Sequence, residues 1–147
     1  RTKKNKDDTD FRDMFKEDNV DDCLFCNGIE KERILIENNY AFAILDKYPV
    51  TKGHTLIIPK RHISDYFSMT KAEFNAVQDL IKIRRKQLMG KDNSIKGFNV
   101  GVNSGKIAGQ TVMHCHIHLI PRRAGDIDNP EGGVRGVIPN KRLYNRY

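Results

Sequence analysis

Along this chain, short stretches whose apolar residues recur at every second position surround one longer stretch in which they recur at helical spacing. After Cys23-Leu24-Phe25-Cys26, the positions Ile34 and Ile36 and then the run Tyr40–Leu45 read as two strands around a turn at Asn38-Asn39. His54–Pro59 reads as a third strand closed by its proline, Gly97–Val102 as a fourth, and His114–Ile120 as a fifth ended by Pro121. Between the third and fourth, Thr70-x-x-Glu73 has the form of a capping box. Phe74, Val77, Ile81 and Leu88 follow at helical spacing, and Gly90 is a candidate stop. Strands joined by short turns, with one long helix inserted and a shorter one beside it, predict an α+β domain on a mostly antiparallel five-stranded sheet. Residues 1–21 are polar and mixed in charge, as in a flexible tail with at most one amphipathic turn near Phe11–Phe15. Residues 22–124 carry the patterned domain, and residues 125–147, rich in Gly and Pro, form a loop-rich extension.

Composition narrows the class. The 147 residues suit a single core, and no apolar run approaches the ~18 residues of a membrane span. The net charge of +7 is uneven: residues 1–22 carry −2 and the remainder +9. A positive body fits an anionic partner such as a nucleotide. Nucleic acid is not expected, because no basic stripe is interleaved with aromatics. Three cysteines are too few for a disulfide framework, which points to a reducing, cytoplasmic setting.

The most informative segment is Met113-His114-Cys115-His116-Ile117-His118-Leu119. In a strand, His114, His116 and His118 share one face while Cys115, Ile117 and Leu119 point into a core. One strand histidine is ordinary. Three at every second position point either to a metal site or to histidine chemistry on an anion. Cys23-x2-Cys26 is by itself a redox pair or simply two small buried residues.

The segment Gly109–Pro121 resembles the signature of the histidine-triad (HIT) nucleotide hydrolases and transferases, and Asp46-x7-His54-Thr-Leu-Ile-Ile-Pro59-Lys60-x-His62 resembles the second block of that family. The resemblance covers roughly residues 22–124 and implies a HIT-like fold. It implies that His116 is the nucleophile on an α-phosphate, and that His118 and His54 stabilise phosphate oxygens or assist the leaving group. Asp46 would bind the ribose hydroxyls, and Ile44 or Leu45 would line the base pocket. Asn103, Gln110 and Thr111 would lie near the phosphates. Arg122 and Arg123 would clamp a longer phosphate chain, which favours a dinucleoside polyphosphate substrate.

Bacterial-type members hold zinc with a Cys-x2-Cys pair and two histidines, so the resemblance implies a structural zinc on Cys23, Cys26, His62 and His114. It also implies a two-fold homodimer. His118 stands where the uridylyltransferase branch has glutamine, so water is the expected acceptor. Residues 119–147 contain neither Cys nor His, unlike the DNA-end-processing branch with its added zinc finger. The implied activity is hydrolysis of a nucleoside phosphoanhydride or phosphoramidate bond. The alternative is a non-catalytic nucleotide-binding scaffold that acts through a partner.

Overall fold

The structure is a computed structural model that describes Met14 and residues 19–145. Apart from Met14, the turn expected over Phe11–Phe15 lies outside those residues, as does Arg146. The elements in chain order are α1 (Leu24–Asn27), β1 (Ile34–Glu37), β2 (Ala41–Leu45), β3 (Thr55–Pro59), α2 (Lys71–Lys91), β4 (Ile95–Val102) and β5 (Ile117–Arg123), with several single 3-10 turns between them. The five strands form one sheet in the order β1-β2-β3-β5-β4, every neighbouring pair antiparallel. The α+β class, the antiparallel five-stranded sheet and the single long helix are as the sequence predicts. The shorter helix is one turn, α1. Among the described residues no helix is long and apolar enough to cross a membrane.

Alternation in the strands builds two different faces. On one, Ala41, Ala43, Ile57, Ile117 and Leu119 pack against Ala76, Val77, Leu80 and Leu88 of α2. On the other, Phe42, Ile44, Leu56 and Ile58 are covered by Phe25, Ile29 and Ile34 from the N-terminal segment. The small Ala41 and Ala43 let the helix approach the sheet closely.

α2 begins as expected. Thr70 Oγ1 accepts from Glu73 N (3.1 Å) and Glu73 Oε1 accepts from Thr70 N (3.0 Å), a reciprocal capping box. Its other end departs from the expectation. Gly90 stays inside the helix, which ends after Lys91 because Asp92 turns extended and accepts from Ser94 N (2.9 Å).

The fifth strand is displaced as well. It begins at Ile117, three residues late, and runs through Pro121 to Arg123. Pro121 is tolerated because the polar edge of that residue faces away from β4. Its carbonyl accepts instead from Thr51 Oγ1 in the β2–β3 turn (2.7 Å), so the missing N–H breaks no β4–β5 bond.

The extension after β5 folds into two 3-10 turns, Gly133–Val137 and Pro139–Lys141. Arginines tie it together: Arg135 donates to the carbonyls of Lys141 (2.8 Å) and Arg142 (3.2 Å), and Arg142 donates to that of Asn129 (2.9 Å). Gly132 sits at φ +89°, where a Cβ would run into the Arg142 carbonyl.

The capping box gives a direct stability test. Thr70→Ala should lower the unfolding free energy by ~1 kcal/mol in urea denaturation, with no change in the histidine chemistry described below. An unchanged midpoint would show that the cap contributes nothing.

Candidate active site and metal centre

The site grows from the start of β5. His116, 8% exposed, places its Nδ1 2.8 Å from the His114 carbonyl oxygen. A carbonyl can only accept, so Nδ1 carries the proton and the Nε2 lone pair is left to act. Phe25 packs edge-on against this ring at 5.1 Å, keeping water from one side of it.

A second chain of hydrogen bonds fixes the other two imidazoles. Val50 N donates to His54 Nδ1 (3.1 Å), so the proton of a neutral His54 sits on Nε2. That Nε2 lies 2.9 Å from His118 Nδ1 and 3.4 Å from an Asp46 carboxylate oxygen. With His54 donating, His118 Nδ1 accepts, and the proton of His118 itself is on Nε2. The rings of His116 and His118 stand 5.3 Å apart, one presenting a lone pair and the other a donor.

Burial holds all of them neutral near pH 7. Desolvation lowers the pKa of His54 against the opposing pull of Asp46, and it lowers that of His116 against its bond to the His114 carbonyl and the charge of Asp46. His118 falls furthest, to about 4, because the neighbouring His116 and His54 reinforce desolvation.

These histidines stand between two cavities. One, of about 620 Å³, is walled by Phe25, Ile29, Ile44 and Leu56, with Asp46, Thr111, His116 and His118 at its polar end. The other, of about 550 Å³, shares Val50, His54, Asn103 and His118 with the first and extends over β4 to Arg122, Asp126 and Val134. His116, His118, His54, Asp46, Asn103 and Thr111 are thus gathered in one place.

Three expected residues face elsewhere, and a fourth, Arg122, is at the cavity but already paired. Ile44 lines the first cavity, whereas Leu45, one position on, faces the helix side of the sheet and is 45% exposed. Gln110 is turned inward: its amide donates to the carbonyls of Ser64 (2.9 Å) and Val112 (3.1 Å) and accepts from Gly105 N (2.8 Å). It shapes the loop before the histidines. Arg122 reaches the second cavity but is held by both oxygens of Asp126 and by Asn99. Arg123, of opposite strand parity, lies on the helix side and pairs with Asp92 (2.9 Å). Phe25 and the Val50 N–H were not anticipated. Phe25 acts through a contact made across the fold, and the Val50 N–H acts as a backbone group, so neither is marked by side-chain type.

Beside the histidines, Cys23, Cys26, His62 and His114 converge, their ligand atoms all within 4.8 Å of one another. His114 Nδ1 is 3.4 Å from both sulfurs, and Cys26 Sγ is 3.3 Å from His62 Nδ1. A tetrahedral zinc with ordinary Zn–S and Zn–N bonds sets such atoms ~3.5 Å apart. His114 Nε2 donates to the Pro59 carbonyl (2.7 Å), the supporting bond that puts the Nδ1 lone pair toward the sulfurs. The donor set therefore fits zinc. Cys115 faces the core as expected, and burial there pushes its thiol up to about 12.

Comparison with known proteins follows the same lines. A family model described as HIT domain matches residues 27–125. The Bacillus subtilis protein hit is 37% identical over 110 residues, covering 70% of this chain and 72% of the relative. A HIT family protein from Bacillus anthracis superposes with TM-score 0.67 at 37% identity, covering 74% of this chain and 78% of that one. A zinc-bound histidine triad family protein from Mycobacterium smegmatis gives TM-score 0.65 at 32% identity, over 74% and 80% of the two chains.

The shifted histidine is measurable. An NMR titration should find His118 neutral through pH 6.5, with a midpoint at about 4. Because the unfolded chain takes up this proton first, stability should fall as pH drops from ~6.5 toward that midpoint and level off below it. A His118 midpoint of 6 or above would contradict the geometry.

Proposed function

The chain belongs to the HIT domain family, and we propose that it hydrolyses a nucleoside phosphoanhydride or phosphoramidate bond through a covalent nucleotidyl-His116 intermediate. The observation that carries this reading is the pair of hydrogen-bond chains that leave a lone pair on His116 Nε2 and a proton on His118 Nε2. The nucleoside occupies the cavity walled by Phe25, Ile29 and Ile44, with its ribose hydroxyls at Asp46. One Asp46 oxygen already accepts from Tyr48 N (2.8 Å), which fixes the carboxylate for that task.

In the first step the His116 Nε2 lone pair forms a bond to the α-phosphorus, and the bond from phosphorus to the leaving group breaks, its electron pair departing with that group. His118 Nε2–H hydrogen-bonds the developing negative charge. In the second step water attacks the same phosphorus, the P–N bond breaks, its electron pair returns to His116, and the water proton passes to solvent. An oxyanion can leave without taking a proton, and the neutral imidazoles hold no acidic proton to give. The protonation pattern therefore favours a phosphoanhydride, as in a dinucleoside polyphosphate, over an amine leaving group. The basis for that preference is now the imidazoles, since Arg122 is neutralised by Asp126 and Arg123 faces away.

We place a structural zinc on Cys23, Cys26, His62 and His114, where it would anchor α1 and the loop before β5. Residues 22–124 are the catalytic domain, the tail and the extension being accessory to it. The chain pairs as a two-fold homodimer in the cytoplasm, and β4, the strand at the sheet's edge, leaves backbone groups open for such pairing.

His116→Ala should abolish turnover of a dinucleoside polyphosphate while nucleotide affinity stays within tenfold, ~1.4 kcal/mol. Retained turnover would reject the mechanism, and binding without turnover in the wild type would instead support a scaffold. Metal analysis should find about one zinc per chain. The Cys23→Ser, Cys26→Ser variant should lose that zinc and melt earlier, whereas a metal-free wild type with unchanged melting would reject the site.

A further inference from the structure

A third cavity, of about 1000 Å³, lies on the helix side of the sheet between the C-terminal half of α2 and the β2–β3 turn. Four cations line it: Lys52, Arg84, Lys91 and Arg123. The two carboxylates there are already engaged, Asp92 by Arg123 (2.9 Å) and Asp126 by Arg122 (2.8 Å). Among the described residues, no carboxylate pairs with Lys52, Lys91 or Arg84.

Arg84 is the unusual member. It is only 6% exposed, yet its partners are neutral: Nε donates to Thr55 Oγ1 (3.0 Å) and Nη1 to Gln87 Oε1 at a long 3.4 Å. A guanidinium withdrawn from water without a counter-charge is costly, and the direction of its pKa, lowered by desolvation, reflects that cost. The hydrolytic chemistry uses none of these cations. A planar fork of N–H donors with two mobile ammonium groups beside it matches the oxygens of a tetrahedral dianion.

We propose that this cavity is a phosphate-binding site, separate from the histidine pocket, in which Arg84 supplies the buried contact and Lys52 and Lys91 close over the anion from solvent. Inorganic phosphate and the phosphomonoester end of a mononucleotide share the required chemistry. The site shares Val50 and Thr51 with the cavity on the histidine side, so the β2–β3 turn forms a common wall. The proposal stands independently of the substrate assigned above.

The test is a titration of the full chain with inorganic phosphate in ~150 mM chloride, where weak surface pairing is screened, followed by backbone amide NMR. The amide signals of Gly53, Asp92 and Ser94 should move saturably. The midpoint should rise at least tenfold in Lys52→Ala, Lys91→Ala, which alters only exposed side chains, and also in Arg84→Gln if that variant folds. Repeating the titration with AMP identifies the source: the same movements assign a phosphomonoester, and their absence assigns free phosphate. Movement confined to Gly109–His118, no saturation, or an unchanged midpoint in the double lysine variant would overturn the proposal.

Discussion

His114 commits three of its polar groups to three different structures at once. Its Nδ1 faces the sulfurs of Cys23 and Cys26, its Nε2–H is held by the Pro59 carbonyl, and its own carbonyl accepts from His116 Nδ1. The last of these bonds decides which nitrogen of His116 keeps its lone pair, so the cysteine cluster and the histidine pocket are linked through a single residue. Drawing His114 toward the cysteines also explains why β5 starts late. A residue tied to the end of β3 and to α1 cannot also continue the β5 ladder, and regular pairing resumes only at Ile117.

The second backbone group that matters is the Val50 N–H. It stands in the turn between β2 and β3, and by donating to His54 it sets the proton order through His54 to His118. Two main-chain groups thereby fix the state of every imidazole in the pocket. Main-chain groups do not titrate, so this order persists wherever the histidines stay neutral, and burial extends that range below the ordinary 6.5 of a histidine. The turn that carries Val50 is pinned in turn by Thr51 to Pro121.

Three arrangements of cations stand out. Arg61, Arg122 and Arg123 are paired with Glu73, Asp126 and Asp92, and Arg135 and Arg142 hold the extension to itself through carbonyls. These arginines are structural ties, with little freedom left for a ligand. Lys52, Arg84 and Lys91 are different, since they gather around a cavity whose two carboxylates, Asp92 and Asp126, are paired with other arginines. Part of the positive charge in the body is therefore concentrated behind the β2–β3 turn.

Much of this was legible in the sequence because it depends on local periodicity. A spacing of two placed His116 and His118 on one face, the capping box located the start of α2, and five apolar runs gave the sheet. The same parity, counted onward from His118 and back from Asp46, separates Arg122 from Arg123 and Ile44 from Leu45, so those two placements follow from alternation itself. The inward turn of Gln110 does not, because its partners Ser64, Gly105 and Val112 are chosen by loop closure. The late start of β5 was decided by a distant anchor, the Pro59 carbonyl that holds His114, which outweighed the local signal; Gly90 stays helical because the stop lies two residues on, at Asp92. Family resemblance implied roles for the histidines and cysteines, but only the tertiary structure could bring Cys23 and His114 together across 91 positions. Periodicity tells a side chain which face it occupies, whereas the proton on an imidazole and the company of Arg84 depend on which remote groups meet it there, and that is set by packing.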